Sequence, residues 1–193
     1  AGGGWERKPT EEERTTMRYR EGDVPADLEV RNAEVTVCHM WDESTVGVAA
    51  NDSKTRTLTF STPTGHPPGA FRVQRYAIWN TREGMTHPGQ WYLDRVAKKL
   101  TYWPRADEDM SEVVVVAPTV ETLIKAVGQS KARVAGITIR GITLSAGDAP
   151  LKPAGFGASK WDGVLQFTYA DRVTVDAVEV VNCGVWAIRE WAG

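Results

Sequence analysis

Hydrophobic positions along this chain recur mostly at every second residue, in short runs, which is the pattern of half-buried strands. From about residue 30, "EVTVCHMW" sets Val35 and Val37 on one side and ends on Trp41, and "STVGVAA" follows. The polar stretch "NDSKTR" turns the chain into "TLTFSTP", where Leu58 and Phe60 share a face. "TPTGHPPGA" reads as a loop by composition, and "FRVQRYAIWN" as a further strand. Residues 1–29 are polar; within them Thr10, followed by Glu11, Glu12 and Glu13, predicts the N-cap of a short helical turn with acids at its positive end.

The run "THPGQWYLDRVAKKLTYWP", Thr86 to Pro104, concentrates this pattern. Pro88-Gly89 opens a turn, Trp91 and Leu93 alternate with Tyr92 and Asp94, "RVAKK" reverses the chain, and Leu100 and Tyr102 lead out. Aromatic and branched residues at period two around a short polar turn predict a β-hairpin with aromatic pairs facing across it. Trp91 and Trp103 are assigned to ordinary packing within that hairpin.

Beyond Ser111 the texture changes. "VVVVAP", Val113 to Pro118, is a continuous apolar run and predicts a strand buried on both faces. "TVETLIKAVGQ" carries two readings. Val120, Leu123, Ile124 and Val127 have helical spacing between a Thr119 N-cap and Gly128, yet the segment is also short and aliphatic enough for a strand. "RVAGITIRGITLSAG" and "DRVTVDAVEVVNCG" each hold two short aliphatic runs broken by a small residue. "DGVLQF" at Asp162 and "CGVWAI" at Cys183 match at an offset of about 21 residues, the length of one coil of a parallel β-solenoid.

Composition narrows the function classes. The 193 residues are 41% hydrophobic, enough for a core, and 23 Lys and Arg against 25 Asp and Glu give a net charge of −2. Without a basic field, neither nucleic acid nor a membrane surface is an expected partner. No apolar run approaches the roughly 20 residues that cross a bilayer. Cys38 and Cys183 are too few for a disulfide framework or a zinc site and read as buried thiols. The first residues, "AGGGWERKPTEEERT", do not form a signal peptide. Asn51-Asp52-Ser53 fits a glycosylation sequon and, more strongly, a hairpin turn. His39, His66 and His87 lack metal-ligand spacing, and "RADEDMSE" reads as a solvated loop. Neither a Gly-rich phosphate loop, a nucleophile elbow nor a Cys-His pair is present.

The segment "RYAIWNTREGMTHPGQWYLDRVAKKLTYWP" resembles the "PGEWYLD, turn, LYYxP" stretch of carbohydrate-active right-handed parallel β-helix proteins, the pectate-lyase-like superfamily with its β-helical glycoside hydrolases. "VAGITIRGITL" and "DGVLQFTYADRVTVDAVEVVNCGVWAI" are similar to their coils, so the likeness spans roughly residues 30–190. Met85, His87 and Gln90 depart from it, and the "G-S-D…G-T" opening of such proteins is missing. The resemblance implies an all-β fold: a polar N-terminal segment 1–29, a small antiparallel β-domain 30–110 with the aromatic hairpin, and a partial right-handed parallel β-helix over 111–193. It decides the ambiguous segment in favour of a strand at Leu123 to Val127. It implies an extracellular or periplasmic protein, and a fragment whose further coils lie on a longer chain, since "VWAIREWAG" ends in mid-coil with Ile188 and Trp191 uncovered.

The implied function is that of a glycoside hydrolase on a polysaccharide or oligosaccharide, without cofactor or metal; the alternative is a non-catalytic glycan-binding or adhesive solenoid, and the third reading is a purely structural module. A glycosidase needs two carboxylates flanking one bond. Asp162 and Glu190, beside Trp161 and Trp191, are the candidates, although in this family the catalytic acids lie on coils beyond this chain's end. Trp161, Trp186 and Trp191 are candidates for stacking on sugar C–H faces, and Arg189 for pairing with a sugar carboxylate. Asp171 and Asp176 are expected to cap turns.

Overall fold

A computed structural model describes residues 8–192. The first seven residues of the polar segment therefore lie outside the described residues. The described chain is all-β apart from α1, Glu11–Thr15, and two 3-10 turns at Ala70–Arg72 and Phe156–Ala158. It divides into two compact units: the chain up to Val113 together with Leu151–Lys160, and Val114–Pro150 with the chain from Trp161 on.

The first unit begins with the expected cap. Thr10 Oγ1 accepts from the Glu13 backbone N–H, and the Glu13 carboxylate accepts from the Thr10 N–H, a reciprocal box that satisfies donors the helix leaves open. Then come β1 (Thr16–Arg18), β2 (Glu34–Cys38), β3 (Glu43–Asp52), β4 (Thr57–Phe60) and β5 (Tyr76–Trp79). They form one antiparallel sheet in the order β1-β4-β3-β2-β5, with a bulge in β3 between Val48 and Ala50 that bends the strand into a half-barrel. The alternation read from the sequence is the burial pattern observed: Val35, Val37, Val46, Leu58 and Phe60 point into the core. Each such side chain contributes about 1.5–3 kcal/mol by leaving water. Met17, Tyr19, Val24 and Leu28, all within the segment read as polar, complete this core.

The aromatic hairpin is β6 (Trp91–Asp94) with β7 (Lys99–Tyr102), in register Trp91↔Tyr102 and Leu93↔Leu100. Its packing differs from the expectation. Trp91 and Trp103 are 56% and 43% exposed, while Tyr92 is 2% exposed with Arg82 over its ring. The reason is polar docking: Asn32 Nδ2 donates to the Tyr92 hydroxyl and to Asp94, Arg31 pairs with Asp94, and Asn80 exchanges hydrogen bonds with the Leu93 backbone. This turns the Tyr92 and Asp94 face inward and leaves the tryptophan face outside.

The second unit carries β8 (Ile124–Val127), β9 (Val134–Ala135), β10 (Thr138–Arg140), β11 (Thr143–Ser145), β12 (Gly163–Thr168), β13 (Ala170–Asp171), β14 (Thr174–Asp176), β15 (Glu179–Val181) and β16 (Trp186–Trp191). Every pairing among them is parallel: β8-β12-β16, β9-β13, β10-β14 and β11-β15. Ile124 and Leu165 share one register row, as do Ile139 with Val175 and Leu144 with Val180, so like residues stack inward; Ile188 continues the first row and is 46% exposed. Leu165 pairs with Ile188, 23 positions on, two more than the sequence match gave. A shift of two keeps the same side chains on the same face.

Corners between these short strands are single residues of positive φ: Gly136, Gly141 and Ala146 after β9, β10 and β11, and Arg172, Ala177 and Asn182 after β13, β14 and β15. The N–H of Gly136, Gly141 and Ala146 reaches the carbonyl of Asp171, Asp176 and Val181 respectively, so the backbone pairing continues around each bend. Polar side chains tie the paired strands together as well, Arg133 with Asp171, Arg140 with Asp176, and Thr143 with Glu179.

Other expectations are corrected. Val113 to Val116 form no strand; the run is 36–85% exposed, since an apolar run becomes a buried strand only where neighbours cover both faces. The strand expected at "FRVQRYAIWN" shrinks to β5, because Phe71 and Arg72 take positive φ in the 3-10 turn before it. Cys38 and Cys183 are free and half-buried. Asn51 bonds the Tyr19 hydroxyl and the Pro25 carbonyl, and Asp52 accepts from the Lys54 and Thr55 N–H groups, the turn geometry that its sequence favours.

Candidate functional site

The chemistry expected of the coils converges on the outer face of β8, β12 and β16. Alternation places Leu165 and Phe167 in the core, so Lys125 and Arg189 face away from it on either side of the covered Gln166, followed by Thr168, Val127 and Trp191. Asp162, two residues before Val164, lies against this row. Its Oδ2 accepts from Lys125 Nζ at 3.3 Å and its Oδ1 from Arg189 Nη1 at 3.2 Å. Arg189 also lies over the Trp191 ring, 5.3 Å from its centre. Gly163 permits the approach: a Cβ there would meet the Arg189 Cβ and N at 2.8 Å. Gln166, buried, accepts from the Gly163 N–H and holds the start of β12.

The predicted residues are thus partly gathered. Asp162, Arg189 and Trp191 form one cluster, with Trp191 57% exposed. Trp161 is half-buried and adjoins Asp162 in the chain. Trp186 is 45% exposed and shares its row with Gly163. Glu190 is not brought to Asp162: it follows Arg189 in β16 and shares the inward row of Phe167 and Ala126, so it points to the opposite face. Both oxygens of Asp162 are held by cations. These two carboxylates therefore do not flank one bond. Sequence reasoning missed Lys125 and Gln166, whose connection to Asp162 exists only through the parallel register.

The first unit holds a second polar cluster that the sequence scatters. His39 and His66 meet edge to face at 5.5 Å, and Trp41 and Phe71 close around His66. His39 Nε2 lies 3.3 Å from the buried Ser44 Oγ, which accepts from the Gly65 N–H. Burial lowers the His39 pKa, against the charge of Asp42 and with that of His66. Ser44 is fully enclosed, so the pair presents no nucleophile to solvent. Among the described residues no group of three His, Cys, Asp or Glu could hold a metal ion, and no helix is long and apolar enough to cross a membrane.

Comparison with protein-family models, curated proteins and solved structures gives no match.

Proposed function

We propose that the second unit is a stretch of right-handed parallel β-helix presenting a carbohydrate-binding face, centred on Trp191, Arg189 and Asp162. The observation that supports this reading is an exposed indole held beside an ordered cation–carboxylate row. A sugar needs both surfaces together: a flat aromatic face for its C–H groups, and fixed donors and acceptors for its hydroxyls. Binding without cleavage is favoured over hydrolysis because Asp162 and Glu190 face apart. The test is affinity electrophoresis and calorimetry against a panel of soluble polysaccharides, with Trp191→Ala and Arg189→Ala. Retardation by at least one glycan, weakened about tenfold in either variant, is expected. Absence of any retardation of the unaltered protein, or full retention by Trp191→Ala, overturns the reading.

A further inference from the structure

The first unit contains a cavity of about 460 Å³ whose lining runs from Thr16 to Arg20 on one side and from Val73 to Tyr76 on the other, with Val37 between. Its position relative to the sheet follows from burial. Met17 and Tyr19 point into the core, whereas Arg18 and Arg20 point out, yet all four border the cavity. Residues of both faces can line one space only if that space lies against the edge of the strand. The other wall, Val73 to Tyr76, is the irregular chain that leads into β5 and its first residue. β1 and β5 are the two ends of the strand order, each paired on one side alone. The cavity is therefore the gap where the half-barrel stays open, against the side of β1 that has no neighbouring strand; past β1 the Arg20 carbonyl accepts from the Asp23 N–H, and on the far wall the Arg75 carbonyl accepts from the Cys38 N–H.

Its charge selects an occupant. Arg18, Arg20 and Arg75 line it, and none of the three is ion-paired with a carboxylate among the described residues. Two acids stand close and are engaged: Glu13, itself in the lining, with Thr10, and Asp23 with the Tyr76 hydroxyl, which burial first and Asp23 second push up to about 12. Unpaired guanidinium groups on a chain of net charge −2 mark a local excess of positive charge. Arg18 closes β1 and Arg20 follows two residues on, about 7 Å along an extended chain, which is also the spacing of alternate side chains on an added strand.

We propose that this gap receives an extended acidic peptide of a partner protein, which adds as a strand along β1 and sets carboxylates at alternate positions against Arg18 and Arg20, with Arg75 closing from the far wall. Main-chain pairing supplies the attachment, and the charge spacing supplies the selection.

Fluorescence polarisation with the whole chain tests it, using a labelled nine-residue peptide with Asp or Glu at every second position. Saturable binding is expected, weakened about tenfold or more by Arg18→Ser with Arg20→Ser, and weakened by added salt. A peptide methylated at alternate backbone nitrogens keeps its charge but loses its edge donors, and is expected to bind about tenfold more weakly. The proposal is overturned if the unmodified peptide does not bind. It is also overturned if the methylated peptide, or one with the same acids placed consecutively, binds equally well. Equal displacement by a sulfated oligosaccharide of matched charge would show a simple anion site and overturn strand addition.

Discussion

Gly141 and Ala177 occupy equivalent corners, each the residue after a paired position in the row Arg140↔Asp176, and both have positive φ, +66° and +49°. A Cβ on Gly141 would meet nothing within 4 Å, so Gly141→Ala isolates the backbone term from any packing change. An L-residue in the left-handed region costs roughly 1–2 kcal/mol. The loss of glycine's freedom in the unfolded chain returns about 0.4–1 kcal/mol. The net expectation is about 1 kcal/mol of destabilisation for Gly141→Ala, and a gain of similar size for Ala177→Gly. The hydrogen bond from the Gly141 N–H to the Asp176 carbonyl makes the effect local. Native-state hydrogen exchange at Ile139 and Val175 should follow it, while Val35 and Val46 in the other unit stay unchanged. Urea titration of both variants gives the global counterpart. If Gly141→Ala proves neutral or stabilising, or if both substitutions shift stability in the same direction, the corner geometry assigned to these residues is wrong.

Two further outcomes can be checked directly. Gly163→Ala forces the Arg189 backbone away, since its Cβ would sit 2.8 Å from the Arg189 N and 2.9 Å from the Leu165 carbonyl; a loss of about 1–3 kcal/mol is expected, with faster amide exchange in β16, and unchanged exchange there would count against the close approach. His39 has a folded pKa below its unfolded value of about 6.5, so its contribution is full above that pH. As pH falls below it, the unfolded chain binds a proton that the folded chain resists, and stability declines toward the folded pKa. Urea midpoints between pH 7.5 and roughly pH 5 should therefore slope less in His39→Gln than in the unaltered protein, and parallel slopes would remove His39 as the cause.

Features that close within a few residues are legible in the amino-acid order alone. Period-two alternation placed Val35, Val37, Leu58 and Phe60 inward because a strand turns successive side chains to opposite faces whatever its partners are. Thr10 with Glu13 specified its cap, and the "WYLD…KLTY" spacing specified a hairpin, because these contacts close within a few residues. The two readings of the segment around Ile124 were not separable in this way; a short aliphatic run satisfies both periods, and pairing with β12 makes it a strand.

Which face is buried, which partner is met and which edge is paired are set by long-range contacts. Tyr92 rather than Trp91 is buried because Asn32, about sixty positions away, supplies the partner for its hydroxyl. β1 is three residues of unremarkable polarity and becomes a strand through β4. Leu151–Lys160 belong to the first unit and reach β3, where Ala154 donates to the Glu43 carbonyl and Pro153 bridges Ser44. Asp162 meets Lys125 and Arg189 across 37 and 27 positions, separations set by the parallel ladders, and Glu190 is turned away by the same register. Alternation is a property of the backbone, but pairing is a competition among many similar edges, and it is resolved only when the whole chain has folded.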